Sequence, residues 1–202
     1  AGLGALLGTG RPAALLAGGA LVVAVWLYNR VTKPWPVVGA LNMGVCRGLS
    51  VMLGANCGEL ATAQLGMLAA IAIGLYVAAV TNLARHETRP RVPVTARLLP
   101  SVALVFGNLG GVMNAVWAPA KFPSLAILLL ALVTVLVLAG RLFRQPAPPL
   151  PPIIGAHIRL LLPLQAAMCY MAAPWDLGPP CAAVLLAFWP LSARLARHFY
   201  AS

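Results

Sequence analysis

The stretch from Pro123 to Gly140 reads PSLAILLLALVTVLVLAG and contains no charged residue. It is too long for a strand, and its apolar residues show no period of two. Similar apolar runs occupy about 13–28, 37–53, 62–84, 94–117, 123–142, 153–171 and 179–200. Residues 1–9 read as the tail of a preceding helix, ended by Arg11-Pro12. A helix of roughly 20 such residues covers the hydrocarbon core of a bilayer. In hydrocarbon every backbone group must pair internally, which leaves helices or a closed barrel. Continuous rather than alternating runs select helices. The expected fold is therefore all-α: residues 1–202 form a single polytopic transmembrane helical bundle of about seven spans.

Composition points the same way. The chain is 61% hydrophobic and 8% charged, against roughly 25% charged in a soluble domain. It could not cover a globule of its size with polar surface. Pro34, Pro36, Pro90, Pro93, Pro119, Pro123 and the prolines from 146 to 152 fall between runs, where proline ends helices. Pro100, Pro163 and Pro190 fall inside runs and predict kinks.

The net charge of +11 comes from 14 Lys and Arg against 3 Asp and Glu. Alternate connections hold the basic residues: Arg30 and Lys33, then Arg85, Arg89, Arg91 and Arg97, then Arg141 and Arg144, then Arg194 and Arg197. The other connections hold only Arg11 and Lys121. That alternation is the topology signal of a membrane protein rather than a nucleic-acid footprint. It places the C-terminus in the cytoplasm, and the expected location is a bacterial inner membrane. Trp35, Trp117 and Trp175 lie at run ends, as interfacial aromatics do. Cys46, Cys57, Cys169 and Cys181 form no CxxC or Cys/His cluster, so zinc and redox motifs are absent from the sequence. The three acids, Glu59, Glu87 and Asp176, leave little scope for metal chemistry.

The stretch from Tyr28 to Ser50 carries the strongest polar signal. Arg47 lies eleven residues beyond Pro36 in the second run, about 16 Å deep at 1.5 Å per residue. A guanidinium there costs at least about 2.5–3.5 kcal/mol on insertion scales, so it faces a partner or a polar cavity. Both readings stand. Asn42, Cys46 and Ser50 recur every four residues and share a face, with Arg47 on its flank. Gly44 and Gly48, with Ala40 a turn earlier, form a ridge over which another helix can approach. Tyr28, Arg30 and Lys33 read either as a headgroup-level anchor or as a phosphate grip. Thr81, Arg85 and Thr88 share a stripe that Asn82 adjoins. Glu87 is a candidate Mg²⁺ ligand or base, or else a solvated cap. His157 and Arg159 read as snorkelling groups at the start of the sixth run.

YNRVTK at 28–33, VVGALNMGVCRGLSVMLGA at 37–55 and YVAAVTNLARHE at 76–87 resemble consecutive segments of the UbiA superfamily of membrane prenyltransferases. The resemblance is nearest to the EboC-like branch, which carries a similar LNMGLCRG-type helix and an LT-x-x-(S/A)-R-x-E segment. The closing WPLSARLARHFYAS is also similar to the C-terminus of that group. The resemblance implies a bundle around a central cavity open to the cytoplasmic side. It implies transfer of a prenyl group from a polyprenyl diphosphate to a lipophilic acceptor, with Mg²⁺ held by two aspartate-rich motifs. By that pattern Tyr28 and Lys33 match a Tyr…Lys segment, and Lys33 grips diphosphate. Asn42 and Arg47 line the cavity. Thr81, Asn82, Arg85 and Glu87 stand in the place of the second motif, which here has no aspartate. The first motif, NDxxDxxxD, lies two spans before the Tyr28 segment in the family. The expectation is that this chain is the C-terminal two-thirds of such a protein. A non-catalytic lipid-binding or transport-associated protein that keeps the fold is the alternative, and a structural subunit of a larger complex is a third.

Overall fold

The computed structural model describes residues 10–57, 63–88, 92–116, 121–144, 146, 148–172 and 177–199. Residues 1–9, expected as a helix tail, lie outside them, as do Glu59, Arg89, Arg91, Trp117, Trp175 and Asp176.

Every regular element among the described residues is helical. In chain order they are α1 (Pro12–Leu27), α2 (Pro36–Cys57), α3 (Ala63–Ala84), α4 (Val94–Val116), α5 (Phe122–Leu142), α6 (Leu150–Arg159), α7 (Leu161–Ala172) and α8 (Gly178–Phe199). Counting α6 and α7 as one path, seven helical stretches are long and apolar enough to cross a membrane. Their surfaces fit that solvent. On α5, Leu128, Ala131, Val135 and Leu138 are buried, yet Leu129, Val133, Leu136 and Val137 on the outer side are half exposed. A helix apolar all round, with its outer face uncovered, belongs in a membrane or a larger core.

Two spans depart from simple helices. The first continues past Leu27 as a π turn, Tyr28–Thr32, in which the Lys33 amide donates to the Tyr28 carbonyl at 3.0 Å. The sixth is broken at Leu160 into α6 and α7. Pro163 lies three residues beyond that break and has no N–H to continue the ladder. Pro100 and Pro190 remain inside α4 and α8.

The helices from α1 to α5 each pack on the next, α5 packs on α7, and α7 packs on α8. α3 sits centrally, because it also meets α6 and α7. The core lies between α3, α5 and the α6–α7 pair, around Ile73, Tyr76, Leu83, Val135, Ile153 and Leu164. α2 reaches it only through Met43 and Val51, and α8 through Trp189.

The closest helix pair is α2 on α3, and glycine sets it. A Cβ on Gly44 would strike the Gly74 carbonyl and stand 2.9 Å from the Ala78 Cβ. A Cβ on Gly48 would stand 2.9 Å from the Ala70 carbonyl oxygen. Small residues here let two backbones nearly touch, as small-residue ridges do between apolar helices.

Candidate functional site

One end of the bundle gathers the α1–α2 loop, the α3–α4 turn, the end of α5, the start of α6 and the end of α8. Its fastening is main-chain. Arg85 Nη1 donates to the carbonyl of Trp35 at 2.6 Å and to that of Pro36. Its Nη2 donates to the carbonyls of Pro34 at 3.3 Å and Lys33 at 3.5 Å. One guanidinium spans four consecutive carbonyls from the end of the π turn to the start of α2, and that of Trp35 also accepts the Gly39 amide at 2.9 Å. Gly39 makes the fold-back possible, since a Cβ there would meet the Thr32 carbonyl oxygen at 2.7 Å. Asn42 Nδ2 donates to Thr32 Oγ1 at 2.8 Å, which ties α2 to the π turn. Cys46 Sγ lies 3.8 Å from Asn42 Oδ1.

Two further cations do similar work. Arg97 Nε donates to the Val92 carbonyl at 2.9 Å and Nη1 to the Leu142 carbonyl at 3.1 Å, with the guanidinium 5.2 Å over the Phe143 ring. At the opposite end Lys121 donates to the Met171 carbonyl near the end of α7. A cation on C-terminal carbonyls is favoured by both hydrogen bonding and the helix dipole.

The structure thus divides the sequence-derived candidates. Arg85 and Asn42 are engaged in holding the loop. Arg30 and Lys33 stay exposed, and Tyr28, Thr81 and Asn82 are half-buried. An apolar groove of about 530 Å³ is lined by Val37, four residues beyond Lys33 in the sequence. Its lining includes Leu41, Leu75, Asn82, Val102 and Phe106. Asn82 is its only polar residue and lies one turn before Arg85.

Arg47 lies elsewhere. Met43, Arg47 and Val51 form one i, i+4 stripe on α2. Met43 and Val51 pack against the core, but Arg47 between them is exposed. Arg47 and Asn42 are about 140° apart around the helix, at roughly 100° per residue, so they do not share a face.

Glu87 and Arg159 line a second cleft, of about 410 Å³, with Pro151, Ile154, Ile158 and Ala193. Arg159 turns back over Gly155, with Nη1 3.3 Å from where a Cβ would stand. The Mg²⁺ implied by the family resemblance can be tested on the donor set. Among the described residues no three His, Cys, Asp or Glu side chains come together. Glu87 by itself does not fit a metal site that bridges a diphosphate.

Sequence reasoning missed the buried polar pair. His157, expected to snorkel, is fully buried against Tyr76, itself 1% exposed. Tyr76 Oη lies 3.0 Å from His157 Nδ1 and 3.1 Å from the His157 carbonyl oxygen. The tautomer with its proton on Nδ1 satisfies both contacts: Nδ1–H donates to Oη, and the hydroxyl donates to the carbonyl. His157 Nε2 has no partner among the described residues. The available signal was Tyr76 itself, a hydroxyl in mid-run that needs a polar partner.

Comparison with family models, with curated proteins and with solved structures finds no match for this chain.

Proposed function

We propose that this chain is a multi-pass integral membrane protein of the UbiA type that seats a polyprenyl diphosphate and delivers its prenyl group to a lipophilic acceptor. The basic end, with the C-terminus, faces the cytoplasm of a bacterium. The observation that carries the reading is the alignment of two unlike environments. Exposed Arg30 and Lys33 lie seven and four residues before Val37, which lines an apolar groove whose one amide is Asn82. That pairing suits an anionic head on a hydrocarbon tail.

In this reading Lys33, a compact ammonium, and Arg30 neutralise the diphosphate oxygens. Asn82 and Thr81 offer hydrogen bonds at the junction of head and tail. The groove holds the chain. Transfer breaks the bond between the allylic carbon and the diphosphate oxygen. The electron pair leaves with the diphosphate, and the acceptor nucleophile bonds to the carbon and loses its proton. Lys33 acts by stabilising the departing charge, which is where electrostatic help is most effective.

A second reading is a holder that binds the isoprenoid diphosphate without cleaving it. It is favoured by Glu87 being the only described carboxylate at the basic end. Binding and release distinguish the two. Farnesyl diphosphate should bind the protein in nanodiscs, and Lys33→Ala should weaken it about 10- to 150-fold, from the roughly 1.5–3 kcal/mol of a charged hydrogen bond. Full affinity in an Arg30→Ala, Lys33→Ala double variant would end the proposal. Binding with no diphosphate release in the presence of an acceptor would leave the holder.

A further inference from the structure

Four residues of α2 fall within one sector of about 60° at roughly 100° per residue: Met43, Arg47, Ser50 and Gly54. Met43 is half-buried against the core, while Arg47, Ser50 and Gly54 are exposed. Nothing stands within 4 Å of where a Gly54 Cβ would be. The sector holds two independent features. One is a guanidinium at the middle of the helix, eleven residues from Pro36 and ten from Cys57. It makes no hydrogen bond or ion pair with a described residue. The other is a small residue followed four later by another, Ser50 and Gly54, which is the spacing that lets a second helix approach closely. The other small ridge of α2, Gly44 and Gly48, is already occupied by α3.

An arginine at either end of α2 could reach polar surroundings with its own side chain. Arg47 is about 15 Å from both ends at 1.5 Å per residue, well beyond that reach. Charge complementarity then specifies the occupant. We infer that this face of α2 docks a transmembrane helix that presents one carboxylate to Arg47 and rides on the Ser50–Gly54 ridge. The one carboxylate among the described residues, Glu87, lies in the turn after α3, so no described helix of a second copy supplies it. The inference rests on the membrane placement proposed above, though not on the isoprenoid ligand.

The test uses the protein reconstituted in phosphatidylcholine vesicles with a labelled 22-residue Leu/Ala peptide carrying one central Glu, read by energy transfer. A matched peptide carries Gln instead. The Glu peptide should associate at least tenfold more tightly than the Gln peptide. Arg47→Gln should abolish that preference, and Gly54→Leu should weaken both peptides. Arg47→Glu should reverse the preference toward a peptide with a central Lys, which keeps the test informative if one variant folds poorly. Equal association of the Glu and Gln peptides with the wild type overturns the inference. So does an unchanged preference in Arg47→Gln. Loss of the Glu preference on adding phosphatidylglycerol would assign the guanidinium to a lipid phosphate and overturns it as well. Protein stripped from the vesicles by carbonate would overturn the membrane placement and this inference together, while farnesyl diphosphate binding remains a separate readout.

Discussion

Gly44→Ala should loosen the whole molecule, although alanine is the better helix former. The propensity gain is about 1 kcal/mol. Against it stands geometry. The new methyl would overlap the Gly74 carbonyl and lie 2.9 Å from the Ala78 Cβ, whereas carbon atoms settle at about 3.5–4.0 Å. Neither neighbour can yield locally, because one is backbone and the other has no rotamer. The helices must move apart by about 1 Å, and the Gly48–Ala70 approach one turn on opens with them. Overpacking of this kind costs about 1–3 kcal/mol, and the separation places Gly44 at the upper end. The net loss is about 2 kcal/mol, or roughly 4–8 °C in Tm for a chain of this size. Gly19 and Gly140 are matched controls, since nothing stands within 4 Å of a Cβ at either. Thermal unfolding in detergent, followed by tryptophan fluorescence, should show Gly19→Ala and Gly140→Ala at or above wild type and Gly44→Ala below it. Equal midpoints for all three would refute the backbone-to-backbone crossing of α2 and α3.

Other variants probe the remaining polar contacts. Tyr76→Phe leaves His157 Nδ1 and its carbonyl without a partner and should cost about 1–3 kcal/mol. The Tyr76→Phe, His157→Leu double variant should cost less than the two singles summed, in a thermal double-mutant cycle. Arg85→Ala removes the donor shared by four carbonyls at the edge of the bundle and should raise amide exchange at Trp35 and Gly39. Arg85→Lys should rescue little of this, since an ammonium cannot fork across four carbonyls. Treatment with EDTA should leave farnesyl diphosphate binding unchanged if the exposed basic loop supplies the grip, as equilibrium binding with and without chelator would show.

What was legible in the sequence is what depends on spacing along one helix. The long apolar runs announce seven helical stretches long and apolar enough to cross a membrane, and the Gly44–Gly48 interval announces a close approach. The fates of polar side chains were not legible, because their partners are remote in sequence. Arg85 reads as one of a substrate-binding stripe with Thr81 until the carbonyls of residues 33–36, about fifty positions earlier, are found around it. Asn42 reads as cavity lining, yet Thr32 takes its amide. His157 reads as an interfacial group, yet it closes on Tyr76 across the core. In a chain with three acids, cations turn to main-chain carbonyls, and no periodicity records that choice. The break at Leu160 was displaced from the expected kink at Pro163, since proline disrupts the turn before it rather than its own position.

The π turn at Tyr28–Thr32 also stores a spare residue. Its i→i+5 bond fits one residue more than an α turn into about the same rotation. Excising a single residue there would rewind the segment to α with the helix upstream close to its present phase, so Ala14, Ala17, Gly18 and Ala24 would keep their buried seat. A one-residue deletion at this bend is therefore expected to do less harm than the same deletion in the middle of α1, where the part beyond the cut would swing by about 100°.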